Sequence, residues 1–335
     1  MSLFKPRSML VTGGAGFIGS NFIRYVLTQE PTIHIINLDK LTYAGSLKNL
    51  THLPHENRYH FICGDISDAS LIHHILQHHA IDTIVHFAAE SHVDRSITSP
   101  AAFVETNVNG TFTLLEAARH HWFEVETREP TQCRFHHIST DEVYGSLSSD
   151  ACKFTETTAY QPRSPYAATK AASDHLVNAY YHTYALPITL SHCSNNYGPN
   201  QHAEKFIPTV IRACLQWKPI PIYGNGKNIR DWLYVEDHCR GVLSILKHGK
   251  LGESYDMGGH NEWENLALAH YICEQMDKLF PQKKSHTSLL EFVADRLGHD
   301  FRYAIDSSKI QKQLTWQPQE TLASGIKKTI AFYTQ

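Results

Sequence analysis

The run Gly13-Gly14-Ala15-Gly16-Phe17-Ile18-Gly19 constrains this chain more than any other segment. It follows a short apolar stretch, residues 9–12, and leads into 17–28, where apolar residues recur at three- and four-residue spacing. Glycine at 13, 16 and 19 permits a tight strand-to-helix turn and lets backbone approach a pyrophosphate without a Cβ in the way. The helix N-terminus adds partial positive charge. The second apolar run ends in Asp39, placed to accept hydrogen bonds from the adenosine ribose hydroxyls. Its carboxylate repels a 2′-phosphate, so NAD is expected over NADP unless Lys40 reverses the local field. The competing reading is a tight turn with no ligand.

Short β-branched runs at 9–12, 33–38, 60–63, 83–87, 135–139 and 188–192 alternate with helical patterns at 17–28, 69–79, 101–121 and 165–184. That rhythm predicts an α/β fold with a doubly wound parallel Rossmann sheet, its binding loops at the carboxyl edge of the strands. Asp65-Ile66 and Ala88-Ala89 close two further strands at that edge, the first suited to an adenine and the second small enough to leave room. After Ser194 the rhythm weakens around Pro199, Pro208, Pro219 and Pro221, while 265–280 and 322–333 still look helical. The expected division is a dinucleotide-binding domain over 1–194 and a smaller C-terminal α/β substrate domain over 195–335, with the chain free to cross between them more than once.

The 335 residues carry a formal charge of -3 and 19% charged side chains, which points away from nucleic acid and anionic membrane and toward a small molecule. Seven scattered cysteines without a close C-x-x-C pair argue against a disulfide framework and a zinc site, and fit a reducing cytoplasm. The apolar start runs straight into glycines, so a strand is expected there, not a signal or anchor. Among 24 histidines the cluster from His73 to His79 invites a metal reading; without an accompanying carboxylate or thiol, a solvated helix face is expected and no metal.

Tyr166 and Lys170 stand four apart near the start of a helical segment, on one face. A neighbouring ammonium stabilises phenolate, which makes Tyr166 a candidate base for a sugar hydroxyl. Upstream, Ser139-Thr140-Asp141-Glu142 closes the fifth strand. One hydroxyl suffices to hold a substrate oxygen; two further carboxyls supply an acid and a base that can remove water from adjacent carbons. The bland alternative has Asp141 capping a turn and Glu142 facing solvent.

The glycine run, Ala88-Ala89-Glu90-Ser91-His92-Val93-Asp94, Thr140-Asp141-Glu142-Val143-Tyr144-Gly145, Tyr166-x-x-x-Lys170, Ser194-Asn195-Asn196-Tyr197-Gly198-Pro199 and Arg230-Asp231-Trp232-Leu233-Tyr234 together resemble the dTDP-glucose 4,6-dehydratase family of extended short-chain dehydrogenases/reductases. The resemblance spans nearly the whole chain, and its Thr-Asp-Glu triplet is the specific part. It implies C4 oxidation of a nucleotide-bound glucose, elimination across C5 and C6, and hydride return to C6. Tyr166 and Lys170 would serve the C4 hydroxyl, Thr140 the same oxygen, Glu142 the C5 proton and a protonated Asp141 the departing C6 hydroxyl. With no net redox change, NAD should stay bound. The resemblance adds Phe17, Ile18, Lys40, Thr106, Ser139 and Asn196 to the cofactor positions. For dTDP-glucose it implies Ser91, Asn195, Lys205, Arg230, Asn265 and His299, with Pro221 and Tyr223 as an apolar wall.

The family usually reads Asp-Arg-Pro-Gly-His-Asp where this chain has Asp295-Arg296-Leu297-Gly298-His299-Asp300, which predicts a looser substrate loop. A homodimer pairing 101–121 and 165–184 is also implied. The alternatives are another nucleotide-sugar epimerase, decarboxylase or dehydratase, and a noncatalytic NAD-binding regulator.

Overall fold

The computed structural model describes residues 4–296 and 298–335. Its strands are β1 (Ser8–Thr12), β2 (His34–Asp39), β3 (Tyr59–Cys63), β4 (Thr83–His86), β5 (Arg134–Thr140), β6 (Ile188–Cys193), β7 (Asn195–Tyr197), β8 (Ile220–Tyr223), β9 (Ile229–Tyr234), β10 (Ser254–Met257), β11 (Glu262–Glu264) and β12 (Leu290–Val293). Seven of them form one sheet in the order β10, β6, β5, β4, β1, β2, β3, every adjacent pair parallel. The order reverses between β1 and β4, so the loops after these strands diverge and leave a crevice at the carboxyl edge.

Both faces of the sheet are covered, so β1, β4, β5 and β6 are buried along nearly their whole length, polar residues such as His136, His137 and His192 included. One face packs against helices Phe17–Gln29 and Val235–His248, around Phe22, Ile23, Val242 and Leu246. The other takes Ala69–His79, Thr111–Arg119 and Pro165–Tyr184, around Ile72, Leu115, Trp122 and Val177. In Ala69–His79 the residues Ile72, Ile75 and Leu76 face inward while His74 and His78 are exposed. Among the described residues no group of three or more His, Cys, Asp or Glu is arranged to hold a metal ion.

One expectation needs correction. The single helix expected over 101–121 is a succession of turns: α over Pro100–Phe103, π over Val104–Gly110, α over Thr111–Arg119 and π over His120–Val125. The first wide turn carries Asn107, whose side chain accepts from Glu90 N–H at 2.9 Å and donates to Glu90 O at 3.1 Å and Thr169 Oγ1 at 3.0 Å. An extra residue in the turn re-aims side chains toward the crevice. A seventh strand, absent from the runs read in the sequence, joins the sheet by a return crossing: after the small sheets begin, the chain comes back at Val235–His248 and β10 to extend the large sheet beyond β6.

The remaining strands make a three-stranded sheet, β11, β9, β7, and a two-stranded one, β12, β8. They share a core with helices Phe206–Gln216, Asn265–Leu279 and Leu322–Tyr333, including Ile211, Trp232, Ile272 and Ile326. No described helix is long and apolar enough to cross a membrane.

Candidate active site

Gly13 has φ +70°, and a Cβ there would sit 2.6 Å from Ala88 N; at Gly19 a Cβ would lie 2.4 Å from Gly13 O. The turn therefore packs backbone on backbone, open toward a cavity of about 300 Å³. Asp39 closes one end, with Oδ2 accepting from Ala15 N–H at 2.9 Å and Oδ1 from Leu41 N–H at 2.8 Å. Lys40 turns away to Asp65 Oδ2 (3.1 Å) and Thr106 Oγ1 (3.2 Å), so its cation is already committed and does not reverse the field at Asp39. A glycine cradle ending on a fixed carboxylate fits a dinucleotide without a 2′-phosphate. The wall includes Gly16, Phe17, Ile18, Ile66, Ala88, Ala89, Ser139 and Asn196, so all the sequence-derived cofactor positions meet in this one space. Asn196 is itself pinned, donating to Ser194 O at 3.0 Å and pairing through Oδ1 with His238 at 2.9 Å.

Thr140, Asp141, Glu142, Tyr166 and Lys170 line the inner end of the same cavity. Thr140 ends β5 and caps a short 3-10 turn, Asp141–Tyr144, accepting from Glu142 N–H at 3.3 Å; the cap is thus Thr140 and not Asp141. Asp141 is 2% exposed, and its Oδ2 is buried without a protein partner among the described residues. Burial raises its carboxyl well above the usual range, and the Glu142 and Asp231 carboxylates push it further. Burial raises Glu142 too, but Arg230, Lys205 and Arg296 pull it back. Arg230 acts on both carboxyls, but Lys205 and Arg296 oppose the shift only at Glu142, so Asp141 is the more strongly raised of the two, an arrangement suited to one acid and one base.

The phenol of Tyr166 is buried, which raises it well above its usual range, with Glu142 adding to the shift. The expected lowering by Lys170 is not what dominates: its Nζ donates to Ile138 O at 2.7 Å and lies 3.3 Å from His137 Nε2. Burial brings the Lys170 ammonium down to about 8, opposed by the Asp174 carboxylate.

A second cavity adjoins the first through Ser91, Glu142, Asn195, Asn196 and Lys205, and continues over Pro221, Tyr223, Arg230, Asn265 and His299. Lys205 Nζ donates to Ser91 O at 3.3 Å across the junction. Arg230 makes no ion pair with Asp231 or Asp237. Instead it donates to Ile229 O (2.8 Å) and Asp300 O (3.0 Å) and lies 4.3 Å over the Tyr303 ring. His299 pairs with Asp295 Oδ1 at 2.6 Å. Leu297 lies outside the described residues. Sequence reasoning missed Arg296, which joins Asp94 at 3.3 Å and stands over Tyr223, and Tyr303, which backs Arg230. It also missed Asp174, although Asp174 follows Lys170 by four residues on the same helix, a spacing that announces contact.

A dinucleotide cradle, a Tyr/Lys pair on one helix and a second cavity lined by cations define the extended short-chain dehydrogenase/reductase class. The family model for GDP-mannose 4,6 dehydratase matches residues 10–329. A dTDP-glucose 4,6-dehydratase from Shigella flexneri is 52% identical, covering 97% of this chain and 92% of that protein. Among solved structures, a dTDP-glucose 4,6-dehydratase from Streptomyces venezuelae with NAD and TYD bound superposes with TM-score 0.88 at 44% identity, covering 98% of this chain and 97% of that one. The same enzyme from Bacillus anthracis, in complex with NAD, gives 0.86 at 41% identity, covering 98% of this chain and 96% of that one. The chain belongs to the dTDP-glucose 4,6-dehydratase family.

Proposed function

We infer that the protein is an NAD-dependent hydro-lyase converting dTDP-glucose to dTDP-4-keto-6-deoxyglucose. The observation that carries this reading is the Asp141–Glu142 pair at the inner end of the dinucleotide cavity, Glu142 reaching the second cavity, in a chain 52% identical to a dehydratase of that name. When bound, NAD supplies a reversible hydride acceptor and a positive charge beside Tyr166. Tyr166, as the phenolate that this charge and the Lys170 ammonium favour against its burial, takes the C4-hydroxyl proton, with Thr140 sharing that oxygen. The ketone so formed acidifies the neighbouring C5 hydrogen. Glu142, whose burial-raised carboxyl three cations draw part of the way back, removes that proton as the carboxylate; Asp141, held protonated, gives its own to the leaving C6 hydroxyl. Glu142 afterwards returns a proton to C5, and the hydride taken from C4 would be given back at C6, so that no net oxidation remains.

The pyrophosphate is assigned to Lys205 and Arg230, with Arg296 at the rim, and the base to the wall made by Pro221 and Tyr223, with Asn265 and His299. The domain division proposed is functional: the large sheet holds the dinucleotide and the small sheets the nucleotide sugar. A homodimer is supported by the helical face carrying Val104 (46% exposed), Phe112 (48%) and Tyr184 (46%), apolar side chains that a second copy would cover. All seven cysteines are free thiols, which supports a reducing compartment such as the cytoplasm.

The test is product analysis with dTDP-glucose, UDP-glucose and GDP-mannose in parallel. A product one water lighter, formed fastest from dTDP-glucose, is expected; an isomer of unchanged mass identifies an epimerase instead.

A further inference from the structure

Beneath the Tyr/Lys pair lies a buried array of charges that the reaction steps above leave unused. Lys170 Nζ is 3.3 Å from His137 Nε2, which is 3.2 Å from Asp174 Oδ1. Asp174 Oδ2 accepts from Ser139 Oγ at 2.7 Å and faces His192 Nε2 at 3.4 Å. The other ring nitrogen, His192 Nδ1, is 2.9 Å from Asp256 Oδ1, which also accepts from the Tyr144 hydroxyl at 2.9 Å. His192 is 1% exposed and both aspartates are 0% exposed.

Two buried carboxylates need two cations, since an uncompensated buried charge costs several kcal/mol. Lys170 provides one. The array offers no other strong cation, and His192 alone presents a ring nitrogen to each aspartate.

We propose that His192 is a positioning residue, a standing imidazolium between Asp174 and Asp256 that balances the array and thereby fixes the charge Lys170 presents to the active site. It acts through Asp174: were the ring neutral, the full field of both carboxylates would fall on Lys170. The two aspartates together hold the His192 ring up to about 9 despite its burial. The other groups facing Lys170 are His86 and Cys193, which burial keeps neutral, and those facing His192 are Tyr144, Tyr160 and, through Asp256, Glu156.

The proposal rests on the dehydratase reading, and its signs are set by charge. H192N leaves one negative charge in excess and should move the basic limb of the kcat–pH profile upward by about half a unit. D256N leaves one positive charge in excess and should move it downward. The double variant H192N/D256N is balanced again, and its limb should return to the parent position, whereas purely structural damage would accumulate in it. An H192N limb coinciding with the parent's, or a double variant displaced further than either single, overturns the proposal. A second measurement does not depend on turnover: 15N-histidine NMR of the whole protein at about pH 7, assigned by the resonance lost in H192N. His192 is expected to show imidazolium shifts at that pH, where an ordinary histidine with a midpoint near ~6.5 is mostly neutral; a neutral ring there overturns the proposal even if the dehydratase reading stands.

Discussion

At the scale of single residues, Asp141 and Glu142 are neighbours with the same functional group to which we assign opposite parts. Glu142→Gln should keep C4 oxidation but lose proton removal at C5, lowering kcat by about 10²–10⁴-fold while reduced cofactor accumulates on the enzyme. Absorbance of the bound nicotinamide after a single mixing checks this; a Gln variant that turns over without such accumulation contradicts the assignment. Gly19→Ala would place a methyl group 2.4 Å from Gly13 O, a backbone atom with little room to yield. Dinucleotide affinity should fall at least about tenfold, the equivalent of one to three kcal/mol of overpacking, and equilibrium titration reads it. The glycines were legible in sequence because turn geometry announces them, and the acid pair because the Thr-Asp-Glu triplet resembles the family's. Asp256 and His192 were not, since they lie on two separate strands and meet Asp174 only through sheet order.

At the scale of elements, strand and helix boundaries over the first half follow the periodicity closely, and Ala69–His79 and Pro165–Tyr184 match it end to end. The π turn at Val104–Gly110 escaped because an inserted residue barely disturbs a 3.6-residue apolar pattern. Its Asn107 ties the helix to Glu90 and Thr169, so Asn107→Ala, losing three hydrogen bonds, should cost about 2–4 kcal/mol of stability by urea unfolding. A cost near zero would mean that the wide turn holds without its anchor. β10 was hidden for another reason: it is four residues long, and its pairing with β6 is a long-range choice that local pattern cannot carry.

At the scale of the whole molecule, the sequence conveyed class and family but not how the chain interleaves its two layers of function. His86, His136, His137 and His238 are buried and held below their usual range, chiefly by burial. Each stays neutral when folded and gains a proton only on unfolding, so stability falls as pH drops below the unfolded histidine value of ~6.5. Asp141 works the other way, its raised carboxyl favouring the bound proton in the folded state, and offsets part of this loss. Thermal unfolding should therefore shift down by about 5 °C or more between roughly pH 7 and pH 5, and a flat profile would contradict the neutral assignments.

The central claim is that the two carboxyls after Thr140 eliminate water across C5 and C6. The direct measurement is to incubate the holoenzyme with dTDP-glucose in deuterated water and follow the product by mass and proton spectra. A 4-keto sugar lighter by one water, carrying one deuterium at C5 delivered through Glu142, is expected. A product that has lost water but retains its original C5 hydrogen, or a sugar whose mass never falls, would contradict it.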